Sequence, residues 1–203
     1  MGFALMVEPK YTISEYLKLE EESEIRHEYY DGEVFAMAGT TLIHNEIVDN
    51  IRTLLKEVFK PKGCKTFAES VKVECIKNFS YCYPDAMVTC SAEDFKSTYI
   101  VRNPSILVEV LSNSSANYDQ VFKLKLYTQI ASLQYYLLVT QYECYVQLYT
   151  RSGKDDIWTY QTFANPTDQV PFDDLGFSLP VAAIYEGITF LPEEAESMPS
   201  EER

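Results

Sequence analysis

Residues Asn103 to Ser112 read Asn-Pro-Ser-Ile-Leu-Val-Glu-Val-Leu-Ser, and the run from Ile106 to Leu111 has the composition of a strand buried on both faces of a sheet. Its middle is nevertheless a carboxylate, Glu109. Burying an ionised carboxylate is costly unless a cation, a metal or a set of hydrogen-bond donors compensates it, so whatever lies opposite Glu109 constrains the fold. A second short apolar run, Tyr83-Pro84-Asp85-Ala86-Met87-Val88-Thr89, also carries a single acid. Pro84 has no amide hydrogen to give a ladder and belongs at a strand start or edge, which puts Asp85 near the beginning of its strand. Two apolar strands with one acid each suggest a shared metal. Taken singly, each acid has an ordinary structural alternative: Asp85 as a turn cap, Glu109 as the partner of a buried Arg or Lys.

A chain of 203 residues and 23.4 kDa is long enough for one domain with a substantial core. The expected organisation is a single domain over residues 1–190, followed by an acidic disordered tail over 191–203. No apolar run reaches the roughly 18 residues of a membrane span, and Met1 to Glu8 is too short for a signal peptide and lacks its basic start. A cytoplasmic protein with no membrane partner is expected. The five cysteines, Cys64, Cys75, Cys82, Cys90 and Cys144, are odd in number and never spaced as C-x-x-C. That pattern predicts buried reduced thiols rather than a disulfide frame or a zinc site. The net charge of −14 is unevenly spread: Ile43 to Thr162 holds thirteen basic and thirteen acidic residues, so the acid excess sits in the two ends. A neutral middle of this kind can bind DNA through a local patch but lacks the footprint of a strong non-specific binder.

Thr12-Ile13-Ser14-Glu15 is a capping-box pattern that opens a helix to about Glu22, whose Glu20-Glu21-Glu22 end reads as solvated. Asp31-Gly32 between two β-type runs predicts a hairpin, with Glu33 directly after the turn, aimed either into a site or at solvent. Thr40 or Thr41 caps a second helix, on which Ile43, Ile47, Ile51, Leu54, Leu55 and Val58 share a face and His44 lies in the first turn, as a cap residue or lining a site. Lys65 to Ile76 alternates as one strand, with Glu69 on its apolar side. The capping-rich stretch Ser112 to Asn117 delivers the chain into a helix over about Tyr118 to Ala131, with Val121, Leu124, Thr128 and Ala131 inward and Lys123 and Tyr127 on a neighbouring stripe. Gln134 to Thr140 closes a β-α-β crossover, and Cys144 to Thr150 and Asp156 to Phe163 read as further strands joined by Arg151-Ser152-Gly153-Lys154.

The ordered set of Pro84-Asp85 on one strand, Val108-Glu109-Val110-Leu111-Ser112 on the next and Lys123-Leu124-Lys125-Leu126-Tyr127 on the following helix resembles the PD-(D/E)XK nuclease superfamily. More narrowly, with Ile13-Ser14-Glu15-Tyr16-Leu17, Glu28-Tyr29-Tyr30-Asp31-Gly32-Glu33, the His44 helix and Leu133 to Val139, the chain resembles the Uma-type family of restriction endonuclease-like proteins from about Tyr11 to Phe163 and beyond. The resemblance implies a restriction endonuclease-like α/β fold: a central mixed β-sheet flanked by helices, an αβββαβ core, and an N-terminal helix and hairpin. It implies that Asp85, Glu109 and the Val110 carbonyl hold Mg²⁺, with Mn²⁺ as a substitute. The superfamily's lysine normally stands two residues after the second acid, where this chain has Leu111. Lys123 looks like its migrated replacement, orienting or deprotonating the attacking water, and Lys125 is the fallback. Glu33 and His44 match recurring positions that would complete the site; Glu69 and Tyr127 are further candidates beside it.

The expected activity is metal-dependent endonucleolytic hydrolysis of phosphodiester bonds in DNA. A nuclease-fold interaction or regulatory module is the alternative, favoured by Leu111 and by the acidic charge, and hydrolysis of another ester is the third reading. Lys56, Lys60, Lys62, Lys65 and Lys72 are the clustered bases available for a DNA groove. A homodimer is expected because cutting both strands needs two sites and the tyrosine-rich strands near the C-terminus offer a surface.

Overall fold

The structure is a computed structural model that describes residues 10–112, 116, 118–153 and 156–190. Helix α1, Ile13–Glu22, opens with the expected reciprocal cap between Thr12 and Glu15. The hairpin β1, His27–Tyr30, and β2, Glu33–Ala36, turns at Asp31-Gly32 and leads into α2, Leu42–Phe59, capped by the Thr41 side chain. Strands β3, Lys65–Ala68, β4, Lys72–Ile76, β5, Ser80–Cys82, and β6, Ala86–Thr89, follow. A short strand β7, Ile100–Val101, precedes the long β8, Pro104–Leu111. A π-helical turn, Tyr118–Lys123, runs into α3, Leu124–Tyr127, and the chain returns as β9, Tyr135–Thr140. Strands β10, Val146–Ser152, and β11, Ile157–Phe163, extend the sheet; β12, Gln169–Phe172, β13, Phe177–Pro180, and α4, Val181–Ile184, form a C-terminal cap. The acidic tail over 191–203, most of the loop over 113–117 and Lys154 in the β10–β11 turn lie outside the described residues.

Two mixed sheets result. One has the order β2-β1-β5-β4-β7 and the other β11-β10-β9-β8-β6-β3, with β8 and β9 parallel. Within the second sheet the sequence α2, β3, β6, β8, α3, β9 is the expected αβββαβ core. Both faces of that sheet are covered, which is why β8 reads as continuously apolar. Ile47, Ile51 and Leu55 of α2 pack on one face with Val108 and Val110, joined there by Val170, Phe172 and Ile184 of the cap. Leu107 and Leu111 point to the other face, where Val73 and Cys82 of the first sheet and Leu126 and Tyr127 of α3 fill the space between the sheets. Tyr16 of α1 stacks on Tyr29, with Tyr81 beside it, over the outer face of the first sheet.

Four expectations need correction. The run from Lys65 to Ile76 is two strands, one in each sheet, because Glu69 and Ser70 take positive φ values of 41° and 50° and turn the chain out of the ladder. The helix over Tyr118 to Ala131 is shorter and begins in wider turns, so the buried side chains of that stretch are Asp119, Lys123, Leu126, Tyr127 and Ile130, while Val121 is exposed. Glu20 is buried rather than solvated: its carboxylate takes the His27 amide, the His27 ring and the Tyr83 hydroxyl, with the Lys72 ammonium 3.5 Å away. Finally, Cys64 and Cys90 form a disulfide, while Cys75, Cys82 and Cys144 are free. The β3–β6 register pairs Lys65 with Thr89 and places the two flanking cysteines opposite each other.

That bridge closes a loop with a sequence separation of 26. Cys64→Ser lowers the unfolding free energy of the oxidised protein by about 3 kcal/mol, the loop-closure entropy lost from the unfolded chain. Urea unfolding of both proteins without reductant measures it; coincident midpoints and slopes would show that the bridge contributes nothing.

Candidate active site

Alternation along β8 puts Val108 and Val110 against α2 and leaves Glu109 between Leu107 and Leu111, facing α3 and the space between the sheets. The residue is 2% exposed. Two donors from the helical segment meet the same oxygen: the Lys123 ammonium at 2.9 Å and the Tyr127 hydroxyl at 2.6 Å from Oε1. Leu111, two residues beyond Glu109, shares its face but is packed among apolar side chains, so the cation comes from the neighbouring helix.

Lys123 is the hub of a larger cluster. Its ammonium lies 3.2 Å from Glu28 on β1 and 3.2 Å from Asp119 one turn earlier in the helical segment. All three partners are buried, as is Lys123 itself. Burial disfavours the ammonium, but Glu109, Glu28 and Asp119 outweigh it and hold the Lys123 pKa well above the ordinary lysine range. In this arrangement Lys123 therefore holds its proton more tightly than a solvated lysine does. Burial pushes the Glu109 carboxyl upward, with Lys123 opposing that shift. Glu28 also accepts the Tyr83 amide at 3.1 Å, which ties β1 to the segment leading into Asp85.

Asp85 stands just before β6, as Pro84 implied, at the edge of this cluster. Its Oδ2 accepts the Val110 amide at 2.6 Å, the residue next to Glu109, and lies 3.2 Å from His44 Nε2 in the first turn of α2. Burial lowers the affinity of His44 for a proton, but the hydrogen bond and charge of Asp85, with Glu69 and the Val110 carbonyl, raise its pKa overall. The imidazole thus faces both Asp85 and the Val110 carbonyl, two of the oxygen donors expected for a metal. The Asp85 side chain is 17% exposed, against 3% for Glu109, so the cluster meets solvent on the Asp85 side.

The structure brings Asp85, Glu109, Val110, Lys123, His44 and Tyr127 together. Glu69 is exposed beside them: its amide donates to the Asp85 carbonyl and its carboxylate accepts from Asn45 on α2. Glu33 is not in the cluster; it lies exposed on β2, the outer strand of the first sheet. Lys125 is likewise exposed. Of the clustered lysines, Lys72 is buried against Glu20 and between the Tyr16 and Tyr83 rings, so it is no part of a groove. Lys56 follows His44 by twelve residues on α2, which places it roughly 18 Å along the helix from the Asp85 end. Glu28 and Asp119 were not anticipated from the sequence. Asp119, Lys123 and Tyr127 recur every four residues, a spacing that would have found the second of these; Glu28 reaches Lys123 only through the packing of one sheet on the other.

The donors suit a hard divalent cation in type. Four carboxyl groups, Glu28, Asp85, Glu109 and Asp119, stand beside one ammonium and one imidazole and supply the hard oxygen donors that such an ion takes. Among the described residues no three His, Cys, Asp or Glu side chains already converge as a metal centre, because Lys123 and His44 occupy the inner positions. Metal entry would require these two side chains to give way in part.

Comparison with known proteins gives the family and the fold. A family model described as "Uma2, putative restriction endonuclease" matches residues 13–182. The uncharacterized protein slr1290 of Synechocystis sp. is 34% identical over 184 residues, covering 90% of this chain and 95% of the relative. A second uncharacterized Synechocystis protein, sll1609, is 33% identical over 164 residues, covering 79% of this chain and 92% of the relative. The crystal structure of a putative nuclease belonging to DUF820 from Anabaena variabilis superposes with a TM-score of 0.71 at 19% identity, over 86% of this chain and 97% of that one. No described helix is long and apolar enough to cross a membrane.

Proposed function

Since the chain belongs to the Uma2 family of restriction endonuclease-like proteins, we propose that it is a metal-dependent endonuclease that hydrolyses phosphodiester bonds of DNA, with Asp85, Glu109 and Lys123 at the reacting centre. One observation carries the reading. The Lys123 ammonium lies 2.9 Å from Glu109 although the usual lysine position is Leu111, and Asp85 is tied to the amide of the very next residue, Val110. Three groups that could form a nuclease centre thus come together from the start of β6, from β8 and from the helical segment after it.

Asp85, Glu109 and the Val110 carbonyl would hold the metal, Mg²⁺ or Mn²⁺, which when bound supplies Lewis-acid polarisation of the phosphoryl group. The Val110 amide fixes the Asp85 carboxylate. Lys123, kept protonated by its three carboxylates, places positive charge where negative charge grows on the phosphate oxygens. Tyr127 holds the Glu109 rotamer from below. Hydrolysis adds the oxygen of water to phosphorus, breaks one ester P–O bond, and moves one proton from water toward the departing alkoxide. His44, 3.2 Å from Asp85, is the imidazole within reach of such a proton.

A second reading, a nuclease-fold interaction module, is favoured by the inward pairing of Lys123 and His44 with the acids. Incubation of supercoiled plasmid with Mg²⁺ or Mn²⁺, with and without chelator, separates the two. Nicked or linear product that disappears with chelator supports the enzyme. Metal binding by calorimetry without cutting under any salt condition moves the activity to another ester, and absence of both leaves the interaction module.

A further inference from the structure

The two sheets have four edge strands, and three of them are short: β7 has two residues, β2 and β3 four each. The fourth, β11, has seven and pairs only with β10 among the described residues. Its sequence Ile157-Trp158-Thr159-Tyr160-Gln161-Thr162-Phe163 contains no charged residue and no proline, in a chain of net charge −14. Natural edge strands are usually kept short, charged, bulged or covered, because their outward N–H and C=O groups template further pairing. Here the β10–β11 register runs without a bulge over all seven pairs, and Ile157 and Tyr160 are about half exposed at 55% and 49%.

From this we infer that β11 is a docking edge for a second copy of this chain, paired antiparallel across a two-fold axis at Tyr160. Self-pairing about that centre sets Ile157 against Phe163, Trp158 against Thr162, Thr159 against Gln161 and Tyr160 against itself. Apolar thus meets apolar and polar meets polar at the strand ends and next to the centre, the self-complementarity an isologous contact requires. Charge is consistent with that partner: each copy carries a net −14, and an uncharged strand about 24 Å long lets two such chains bring their backbones together. Tyr160 is already braced by the Tyr149 ring at 5.0 Å, so little side-chain freedom remains to be lost on pairing. The inference stands independently of the nuclease reading, because its readout is mass rather than cleavage.

Sedimentation equilibrium of the full chain from about 1 to 100 μM tests it, comparing wild type with Thr162→Lys and Tyr160→Lys. The expected result is a species of twice the 23.4 kDa chain mass. In Tyr160→Lys the dimer should weaken by about 100-fold or more, since like charges meet at the two-fold, and in Thr162→Lys by less, since its charges stand apart on either side of the axis, each opposite Trp158. Hydrogen exchange of wild-type residues 157–163 should slow with rising concentration, a readout that needs no variant. A single chain at every concentration overturns the inference, as does an assembly larger than two or dimerisation unchanged in variants of native circular dichroism. Should the variants lose the native spectrum, exchange in residues 157–163 that is independent of wild-type concentration overturns it alone.

Discussion

Lys123→Met costs about 3–5 kcal/mol of folding stability near neutral pH, the range for removing one partner of a buried ion pair. The substitution keeps most of the side-chain volume and removes only the charge. Glu28, Glu109 and Asp119 then lose the cation that lies within 3.2 Å of each. Tyr127 still donates to Glu109 and the Tyr83 amide to Glu28, so the loss falls short of full collapse. Cleavage should disappear with it, because among the described residues no other ammonium pairs with Glu109. Urea unfolding gives the first quantity and plasmid nicking the second. A stability change below about 1 kcal/mol would mean that the three carboxylates are neutral or hydrated, and the cluster would lose its rationale. Full cleavage in a folded Lys123→Met protein would remove Lys123 from the reacting centre.

Asp85→Asn separates fold from chemistry. The amide oxygen of Asn can still accept the Val110 hydrogen, so the start of β6 stays in place, while the charge facing His44 and the expected metal is gone. Metal-dependent cleavage should fall by about 10²–10³-fold, the scale of losing one preorganised electrostatic contact, with thermal unfolding shifted by only a few degrees. Calorimetry should show weaker Mg²⁺ binding in parallel. Retained cleavage with weakened metal binding would place the metal elsewhere among the acids, with Glu28 and Asp119 next to be tested.

The two acids stood out in the sequence because an apolar strand cannot carry a carboxylate without a compensating group. That requirement called for a compensating group, and the family resemblance pointed to Lys123 and His44, with Tyr127 beside them, around Asp85 and Glu109. Capping chemistry at Thr12 and Thr41 and the Asp31-Gly32 turn are local, and for that reason they and the αβββαβ order could be read before folding. Glu28 could not, since it reaches Lys123 only once the first sheet is packed over the second. The Cys64–Cys90 bridge depends on strand register in the same way. The break at Glu69-Ser70 escaped notice because apolar alternation continues across two residues in left-handed conformation. The inner face of the Tyr118 helix was misassigned because π-helical turns advance the face differently from a 3.6-residue repeat.

Two of the chain's crossings from one sheet to the other are adjacent: Glu69 to Val71 between β3 and β4, and Tyr83 to Asp85 between β5 and β6. The Glu69 amide bonds the Asp85 carbonyl, so the two passages are laced together. Both are only three residues long, and together they act as a short double hinge pin at the mouth of the site. Natural variation in chain length should therefore collect in the hairpin tips around Lys77-Asn78 and Gly153, where an added residue reaches only solvent. An insertion at either crossing would unseat Asp85 from Val110 and His44 while leaving both sheets intact.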